Sequence, residues 1–346
     1  MSVRVWQEIQ ALPRQACLRP GAASPEALAA PILILGAPRS GTTWLARIID
    51  SHPDVLYRHE PDATLPSPLV LTKDGLGPLL ARWAAETGAR TWRPCFRKSW
   101  QPGWARGLRI VLAAAVSAAA RLPPPLRALA DVRVPDLGAR AASRLAIKSI
   151  AWTEGAAVLA RALPGSRTIF ILRHPCGQVA SVIRGNGLGR FDLKSEGTDM
   201  PFDEAGAIRF AAASGIDEPA FQVLPDAAKY AWSWRAFNET AYAALGAQPN
   251  VHVVLYEALC AQPDALARRI LKFAGLDWNP QTADFVARSS AHQGAAGYFA
   301  ICRNAAAAAE AWRTALAPAD QEAVRAVASA SPLVRFWPDL MSAAGA

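Results

Sequence analysis

Cysteine is scarce in this sequence of 346 residues, with five copies at positions 17, 95, 176, 260 and 302. The number is odd, the copies are widely spaced, and no two of them form a Cys-x-x-Cys pair. The pattern therefore predicts neither a disulfide framework nor a thiolate zinc site. Free cysteines fit a reducing compartment, so we expect a cytoplasmic location.

A long apolar run is also lacking. The most hydrophobic window, Leu108 to Ala120, is nearly half alanine and falls short of the roughly 20 residues that a membrane-spanning helix needs. The first 20 residues carry Glu8, Arg14 and Arg19 and have no apolar stretch of the kind that a secretory signal contains. We therefore expect no membrane insertion, while peripheral contact with a membrane surface stays open.

Acidic residues are in the minority: 37 Lys and Arg residues face 28 Asp and Glu, which gives a formal net charge of +9. A basic protein suits anionic ligands such as a nucleotide, a nucleic acid, an anionic lipid or a sulfated glycan. The same charge also serves solubility alone, so it selects no partner by itself. With 52% hydrophobic and 19% charged residues, the chain is globular and long enough for one large core.

The most informative stretch is residues 32–45, which read ILILGAPRSGTTWL. Its first four residues are large aliphatics, too few for a helix, and they predict a strand buried on both faces. Gly36 and Gly41 then bracket a tight loop, and helical apolar spacing resumes from Thr42 to Ile49. A strand, a glycine loop and a helix in this order direct backbone N–H groups and a helix N-terminus at a phosphate-like anion.

This loop departs from the P-loop of kinases and NTPases. The glycine spacing is the same, but Thr42 stands where those proteins have the lysine that grips the β- and γ-phosphates. Arg39 is the only cation in the loop. The other apolar strands end at Lys148, Arg173 and Glu257 rather than at an aspartate that would hold Mg²⁺. We therefore expect a nucleotide with a short 5′ anionic group and no metal requirement.

Predicted strands and helices alternate along the chain, which favours an α/β fold. We expect a P-loop-type, three-layer architecture in which helices flank a central, mostly parallel sheet with right-handed connections. Besides the strand before the loop, short strands are predicted at 55–57, 145–148, 168–172 and 251–256.

The chain is expected to form a single domain over residues 1–346. Its catalytic core covers about 31–61 and 145–315, and a helical insertion covers about 62–144. The insertion is rich in tryptophan, which either fills the core or lines an acceptor pocket. The stretch 185–225 is rich in glycine, aspartate and glutamate and predicts a mobile loop.

A second anion site is suggested by Arg173 and Ser181, eight residues apart across the corner from a predicted strand to a helix. An arginine at a strand end and a hydroxyl two turns into the next helix can converge on one phosphate. Alone, such a pair is more often structural. Beside the first loop, it predicts a nucleotide that is phosphorylated at two separate places.

These residues resemble the sulfotransferase family, whose donor is 3′-phosphoadenosine-5′-phosphosulfate (PAPS). Residues 38–45 (PRSGTTWL) look like the family's 5′-phosphosulfate loop, and residues 173–181 (RHPCGQVAS) are similar to its 3′-phosphate motif. Residues 52–61 (HPDVLYRHEP) are closer to the carbohydrate and protein-tyrosine branches than to the cytosolic phenol branch. Residues 256–259 (YEAL) and 273–276 (FAGL) look like segments downstream of the 3′-phosphate site.

The resemblance implies a role for each matching position. The implied nucleotide contacts are Arg39, Ser40, Gly41, Thr42, Thr43, Trp44, Arg173, Ser181 and Arg303. Arg39 would neutralise charge that develops on the bridging oxygen, and Arg173 with Ser181 would bind the 3′-phosphate. Trp44 would either lie against the adenine or belong to the core. Arg303 would bind the 3′-phosphate from a C-terminal loop. In the family this loop is rich in glycine, and the glycine-rich form is missing here.

Transfer of a sulfuryl group to a hydroxyl requires a base that takes the hydroxyl proton. In the phenol branch this base is a histidine two residues after a lysine, but here Lys148 is followed by Ser149 and Ile150. The carbohydrate and tyrosine branches use a glutamate soon after the His-Pro turn, a position that Glu60 matches, with His59 as its nearest rival. Lys148 matches the lysine that steadies the leaving group, although Glu60 and Lys148 could form a salt bridge and no more.

We therefore predict a sulfotransferase that moves a sulfuryl group from PAPS to a hydroxyl, by in-line transfer and without a metal, and releases adenosine 3′,5′-bisphosphate (PAP). The expected acceptor is a carbohydrate, a glycolipid or a related small molecule, and not a nucleic acid. Two alternatives stay open: a P-loop kinase or NTPase, and a non-catalytic basic binder of anionic glycan. The sequence identifies neither the acceptor nor the oligomeric state.

Overall fold

A computed structural model defines the architecture. It describes residues 30–61, 79–81, 83–84, 86–87, 96–99, 103–104, 107, 110–111, 114–115, 118, 134–135, 144–150, 160, 163–188, 202–291 and 304–341.

The centre of the fold is a five-stranded sheet in which every pairing is parallel. Its strands are β1 (Ile32–Leu35), β2 (Val55–His59), β3 (Arg144–Ser149), β4 (Arg167–Leu172) and β5 (Val251–Leu255). The strand order is β2-β3-β1-β4-β5, so β1 lies in the middle. The parallel sheet flanked by helices confirms the predicted α/β, P-loop-type fold.

Helices connect and follow these strands. They are α1 (Thr42–Asp50), α2 (Pro175–Gly187), α3 (Glu204–Ala213), α4 (Glu218–Gln222), α5 (Asp226–Leu245), α6 (Tyr256–Ala261), α7 (Pro263–Phe273), α8 (Pro280–Ala291), α9 (Ala305–Glu310), α10 (Trp312–Ala315), α11 (Pro318–Ala328) and α12 (Pro338–Met341). A 3₁₀ turn, Pro332–Phe336, precedes α12. Within the described residues, no helix is both long enough and apolar enough to cross a membrane.

Helices cover both faces of the sheet, which explains why β1 is apolar throughout. Successive side chains of a strand point to opposite faces. Leu33 and Leu35 pack in a cluster with side chains of α5, whereas Ile32 and Ile34 pack in another with side chains of α1 and α7. All four are at most 3% exposed. The prediction of a strand buried on both faces is therefore confirmed.

Two sequence-based expectations about local structure are wrong. Part of the stretch that was expected to be a mobile loop forms the helices α3 and α4, whose first N–H groups are capped by Asp203 and Asp217. Those aspartates are N-cap signals, since a carboxylate accepts hydrogen bonds from otherwise unpaired N–H groups. In addition, β5 ends at Leu255, so Glu257 lies in the first turn of α6 rather than at a strand end.

Only part of the insertion at 62–144 belongs to the described residues. Trp83 is 4% exposed and packs in the core, as the core-filling interpretation of the tryptophans predicts. Arg58 of β2 is buried and donates to the carbonyl oxygens of Trp83 and Ala84 at 2.5 and 2.7 Å. The guanidinium therefore fastens this part of the insertion to the sheet. Trp92 and Trp100 lie outside the described residues.

Candidate functional site

The loop between β1 and α1 requires both of its glycines. A Cβ on Gly36 would lie 2.7 Å from the carbonyl oxygen of Ile171, so backbone packs directly against backbone. Gly41 has φ 96°, a left-handed conformation that glycine adopts at no steric cost. A Cβ at Gly41 would also overlap the ring of Tyr256. These contacts hold the loop tightly against neighbouring elements.

The N-terminus of α1 has unused hydrogen-bond donors. The backbone N–H groups of Gly41, Thr42 and Thr43 donate to none of the residues that the structure describes. Gly41 is the N-cap residue and supplies no side-chain acceptor. Unpaired N–H groups at a helix start, together with the positive end of the helix dipole, favour an anion. These donors make the loop a candidate anion site, and the predicted 5′ anionic group stays a prediction.

The structure brings the two predicted anion motifs together. The Nε of Arg39 donates to the Oγ of Ser181 at 3.1 Å, although 142 residues separate them in the chain. An Nη of Arg173 donates to the carbonyl oxygen of Arg39 at 2.8 Å. Arg39, Arg173 and Ser181 therefore form one hydrogen-bonded group beside the N-termini of α1 and α2. Such a group suits a ligand with two separate anionic ends.

Tyr256 belongs to this site, although the sequence alone assigns it no role. The guanidinium of Arg173 lies over the Tyr256 ring, 4.5 Å from its centroid. The same ring packs against Gly41 and meets Trp44 edge to face, with the centroids 6.4 Å apart. Tyr256 thus contacts both Gly41 of the loop and the guanidinium of Arg173. The YEAL match was the signal that could have found it.

Trp44 lies in the core beside the loop. It is 8% exposed, and its indole N–H donates to the Oγ of Ser289 at 3.0 Å. These contacts favour the core role over stacking on the adenine, although stacking through the remaining exposed edge stays a prediction. Ser40 is fully buried, and its Oγ donates to the carbonyl oxygen of Ala37 at 2.7 Å. The N–H of Ser40 donates to the same oxygen at 3.1 Å, so both donors of Ser40 serve the loop's own structure.

Glu60 and Lys148 meet at the ends of two adjacent strands. Glu60 directly follows His59, which pairs with Lys148 across β2 and β3. The N–H of Glu60 donates to the carbonyl oxygen of Lys148 at 2.8 Å, and the Lys148 Nζ forms a hydrogen-bonded ion pair with the Glu60 Oε1. The side chain of Lys148 is 3% exposed and that of Glu60 is 18% exposed. This pair is more enclosed than an ordinary surface salt bridge.

The backbone is strained at two of the predicted site residues. Arg39 has φ 68° and Glu60 has φ 47°, and they are the two non-glycine residues with positive φ in the described part of the chain. A non-glycine residue in this region costs on the order of 1 kcal/mol or more, and such residues cluster at functional sites. Pro61 follows Glu60, and a residue before proline usually adopts an extended backbone, so the surrounding structure holds Glu60 in this conformation.

His59 lies beside Glu60 and has a partner of its own. The Tyr57 hydroxyl is 2.7 Å from the Nδ1 of His59, and the His59 Nε2 is 3.9 Å from the Glu60 Oε1. If the hydroxyl donates to Nδ1, then Nε2 carries the proton and faces the carboxylate. In that tautomer the Nε2–H faces the carboxylate from 3.9 Å, a separation longer than a hydrogen bond. This geometry favours Glu60 over His59 as the group that accepts a proton.

Residues from later in the chain form hydrogen bonds around the segment that carries Arg173. Glu257 accepts the His174 N–H at 2.9 Å and the Trp337 indole N–H at 3.1 Å. Burial raises the pKa of Glu257. The carbonyl oxygen of Arg173 accepts the Trp234 indole N–H at 2.9 Å. Glu257 therefore has a structural role, which the sequence analysis missed because its partners are distant in the chain.

We expect acid to lower the stability of the folded protein, because His174 becomes protonated. Its ring stacks on Trp312, with centroids 4.6 Å apart, and its side chain is 3% exposed. Burial lowers the pKa of His174 from 6.5 to about 4, with Arg313 and Arg325 also lowering it and Asp339 opposing. The unfolded chain takes up this proton first, so the free energy of unfolding falls between about pH 6.5 and pH 4, by on the order of 2 to 3 kcal/mol.

Denaturant unfolding at several pH values measures this effect. The control variant is His174→Asn, whose side-chain oxygen can still accept the Cys176 N–H that now bonds to the His174 Nδ1 at 3.1 Å. Asparagine does not titrate, so this variant should lose less stability over the same pH range. Equal pH dependence in the two proteins would contradict the assignment to His174.

Arg303 lies outside the described residues. Its neighbour Asn304 forms a bridge with Ala291 and caps α9 by accepting the Ala307 N–H at 3.0 Å. The predicted contact of Arg303 with a 3′-phosphate therefore stays a prediction.

Comparison with models of protein families identifies one family for this chain. The model of the sulfotransferase family matches residues 31–280, whereas no curated protein matches the sequence significantly. Among solved structures, the chain is similar to the sulfotransferase domain from the curacin biosynthetic pathway (17% identity, covering 87% of this chain and 96% of that chain, TM-score 0.44). It is also similar to the sulfotransferase domain of the Synechococcus olefin synthase (17%, 90% and 98%, 0.43). A third similar structure is a mouse sulfotransferase complexed with PAP (15%, 90% and 89%, 0.43).

Proposed function

The chain belongs to the sulfotransferase family, and we propose that it transfers a sulfuryl group from PAPS to a hydroxyl of a carbohydrate, a glycolipid or a related small molecule. The observation that carries this proposal is the hydrogen-bonded group of Arg39, Ser181 and Arg173 beside the unpaired N–H groups of the loop. It supports a donor that has one anionic group at its 5′ end and another at its 3′ end.

The loop would bind the 5′-phosphosulfate. The N–H groups of Gly41, Thr42 and Thr43 point from a helix start and have the donor character that an anion requires. The guanidinium of Arg39 would neutralise charge on the oxygen between phosphorus and sulfur as the bond between that oxygen and sulfur breaks. The leaving group is PAP, whose 3′-phosphate would lie against Arg173 and Ser181.

Glu60 would act as the base. As the acceptor oxygen attacks sulfur, the carboxylate would take the proton of the hydroxyl, so that no alkoxide has to form in water. Lys148 holds one carboxylate oxygen of Glu60. The second oxygen would then face the acceptor. Lys148 pairs in register with Ile34, two residues before Gly36 of the loop, and its ammonium would share the charge of the transferring group.

Several finer aspects of this function are proposals on the sequence alone. The carbohydrate or lipid nature of the acceptor follows from the HPDV and EP matches in residues 52–61, and a cytoplasmic location follows from the scattered cysteines. Independence from metal follows from the missing P-loop lysine and the missing strand-end aspartate. Titration of PAP in the presence of EDTA tests the last point, since binding that needs added Mg²⁺ would favour the P-loop kinase alternative.

Replacing Arg173 with alanine is expected to weaken PAP binding by roughly 10- to 100-fold. The reason is that a charge-assisted hydrogen bond to a phosphate contributes about 1.5–3 kcal/mol. Isothermal titration calorimetry with PAP and with adenosine 5′-monophosphate measures the effect. The wild type should prefer PAP, whereas Arg173→Ala should bind both nucleotides similarly.

The monophosphate is the internal control in this experiment. Arg173 also donates to the carbonyl oxygen of Arg39, so the substitution could disturb the loop. A disturbed loop would weaken both nucleotides, whereas loss of a 3′-phosphate contact weakens PAP alone. An Arg173→Ala variant that keeps the wild-type preference for PAP would contradict the assignment.

A further inference from the structure

Four basic side chains lie together at the edge where the strands of the sheet begin. Arg144 and Arg167 are the first residues of β3 and β4, and His252 is the second residue of β5. Each stands two residues before a side chain that packs with α1 and α7, so all three lie on that face of the sheet. Arg269 of α7 is the fourth member, and we call these four residues the strand-start cluster.

The end of α7 lies against this cluster. The centroid of the Phe273 ring is 5.2 Å from that of the His252 ring and 5.8 Å from the Cζ of Arg167. A Cβ on Gly275 would lie 3.2 Å from an Nη of Arg144, so this guanidinium packs close to the glycine. The end of one helix therefore brings three members of the cluster into one small area.

No carboxylate in the described part of the chain neutralises the arginines of the cluster. Five other arginines form ion pairs with Asp or Glu, namely Arg47, Arg235, Arg268, Arg288 and Arg313. The neighbouring charges within the cluster have the same sign instead. Burial and then Arg167 lower the pKa of Arg144, and burial and then Arg269 lower the pKa of His252. Like charges held together without a counterion repel, and a bound anion would relieve that repulsion.

The hydrogen bonding of α7 does not account for these cations. The backbone N–H groups of residues 274–276 donate to the carbonyl oxygens of residues 270–272 at 2.9–3.1 Å. Gly275 has φ 68°, the left-handed conformation with which many helices end in this way. The helix end is therefore satisfied by its own backbone, and it leaves the guanidinium groups available to another acceptor.

Arg144 has a buried donor without an acceptor. One of its Nη atoms donates to the carbonyl oxygen of Ala30 at 3.2 Å, whereas its Nε is buried and has no hydrogen-bond partner. Buried N–H groups are nearly always bonded, so an unbonded one indicates an acceptor from outside the chain, such as a water molecule or an ion. Beside other cations, an anion is the stronger acceptor for a guanidinium.

We propose that the strand-start cluster binds a small tetrahedral dianion, inorganic phosphate or sulfate. The planar donors of Arg144 and Arg167 match the oxygens of such an anion. His252 is neutral at pH 7 because its pKa is lowered, and its ring can add one N–H donor.

This site is separate from the one proposed for PAPS. Strand β4 runs from Arg167 to Leu172 and Arg173 follows it, so the two arginines lie about 20 Å apart at opposite ends of the strand. The inference therefore does not depend on the proposed sulfuryl transfer.

Nuclear magnetic resonance of the full chain with isotope-labelled histidine tests the proposal. The chain has five histidines, and the signal that disappears in His252→Gln belongs to His252. We expect this signal to shift saturably as phosphate or sulfate is added to the wild type at constant ionic strength, and to stay in place when chloride is added. Arg144→Gln and Arg167→Gln should each weaken the binding of phosphate by roughly tenfold or more, because each removes a charge-assisted hydrogen bond.

The matched control is Arg268→Gln, which makes the same change in α7 at an arginine that pairs with Asp264 at 2.7 Å. It should bind phosphate as the wild type does. Arg173→Ala alters the other anion site and should leave the response of His252 unchanged, so the result stands whether or not the protein uses PAPS. Arg167 is exposed, and Arg167→Gln keeps the test decisive if Arg144→Gln does not fold.

Three results would overturn the proposal. The first is a His252 signal that responds to neither phosphate nor sulfate. The second is an equal response to chloride, which would indicate a general effect of salt. The third is an unchanged affinity for phosphate in a folded Arg167→Gln variant.

Discussion

Glu60→Gln is expected to lower the turnover number by on the order of 10²- to 10⁴-fold, the contribution that a positioned general base makes. The amide cannot accept the acceptor's proton, and it keeps the size of the carboxylate. PAP affinity should stay close to that of the wild type, because Glu60 lies at the end of β2 and not in the loop that would bind the nucleotide. Transfer of radiolabelled sulfate from PAPS to a responsive acceptor measures the turnover.

Two further variants make this result specific. His59→Gln removes the rival base, and it should reduce turnover less than Glu60→Gln does, because the His59 Nε2 faces Glu60 at 3.9 Å as a donor would. Glu218→Gln alters an exposed glutamate of α4 and should change nothing. Since the substitution leaves the buried Lys148 without its carboxylate, thermal unfolding of Glu60→Gln has to be measured as well. Wild-type turnover in Glu60→Gln would remove Glu60 as the base.

Arg39→Asn is expected to reduce the turnover number by roughly 10²- to 10³-fold, the effect of removing one group that stabilises developing charge in a preorganised site. Asparagine is chosen because it tolerates the left-handed backbone that residue 39 adopts with φ 68°. The loop should therefore keep its shape when the cation is lost. A steady-state assay at saturating PAPS isolates this chemical step from binding.

Arg39→Lys is the matched control because it keeps a positive charge on a flexible stem. We expect it to recover much of the activity, although the ammonium cannot reproduce the planar donor arrangement of the guanidinium. Equal losses in Arg39→Asn and Arg39→Lys would indicate that the Nε contact with Ser181, rather than the charge, is what matters. A fully active Arg39→Asn would contradict the proposed role of Arg39.

The family was predictable because its strongest signals are local. Residues 32–45 contain the strand, the loop and the start of the helix in one uninterrupted stretch, and the model of the sulfotransferase family matches the chain over residues 31–280. The branch of the family and the acceptor stay predictions. The branch was predicted from residues 52–61 alone, and the acceptor depends on the insertion at 62–144, where the sequence has no recognisable motif.

Other features were missed because their sequence signals were weak or ambiguous. Asp203 and Asp217 cap helices, but they lie in a stretch whose composition is also typical of a loop. Short polar residues are common both in loops and at helix N-termini, because their side chains bond to the nearby backbone. The sequence predicted Tyr256 at the end of a strand. It gave no signal that the Tyr256 ring packs against Gly41 of the loop. Glutamate is usually a surface residue, but Glu257 lies in the interior. There its carboxylate accepts hydrogen bonds from the His174 N–H and the Trp337 indole N–H.

By itself, the sequence determined the order of strands and helices along the chain, and it named the candidate residues for binding an anion. Local pattern suffices for both, since a strand of four aliphatics and a glycine loop specify their own conformations. Only the tertiary structure decided which of these residues meet. Arg39 and Ser181 are 142 residues apart, and Glu60 and Lys148 are 88 apart. The register of parallel strands brings each pair together, and that register depends on packing over the whole sheet. The strained backbone at Arg39 and Glu60 has the same origin, because only surrounding structure can hold a residue in a conformation that its own chemistry disfavours.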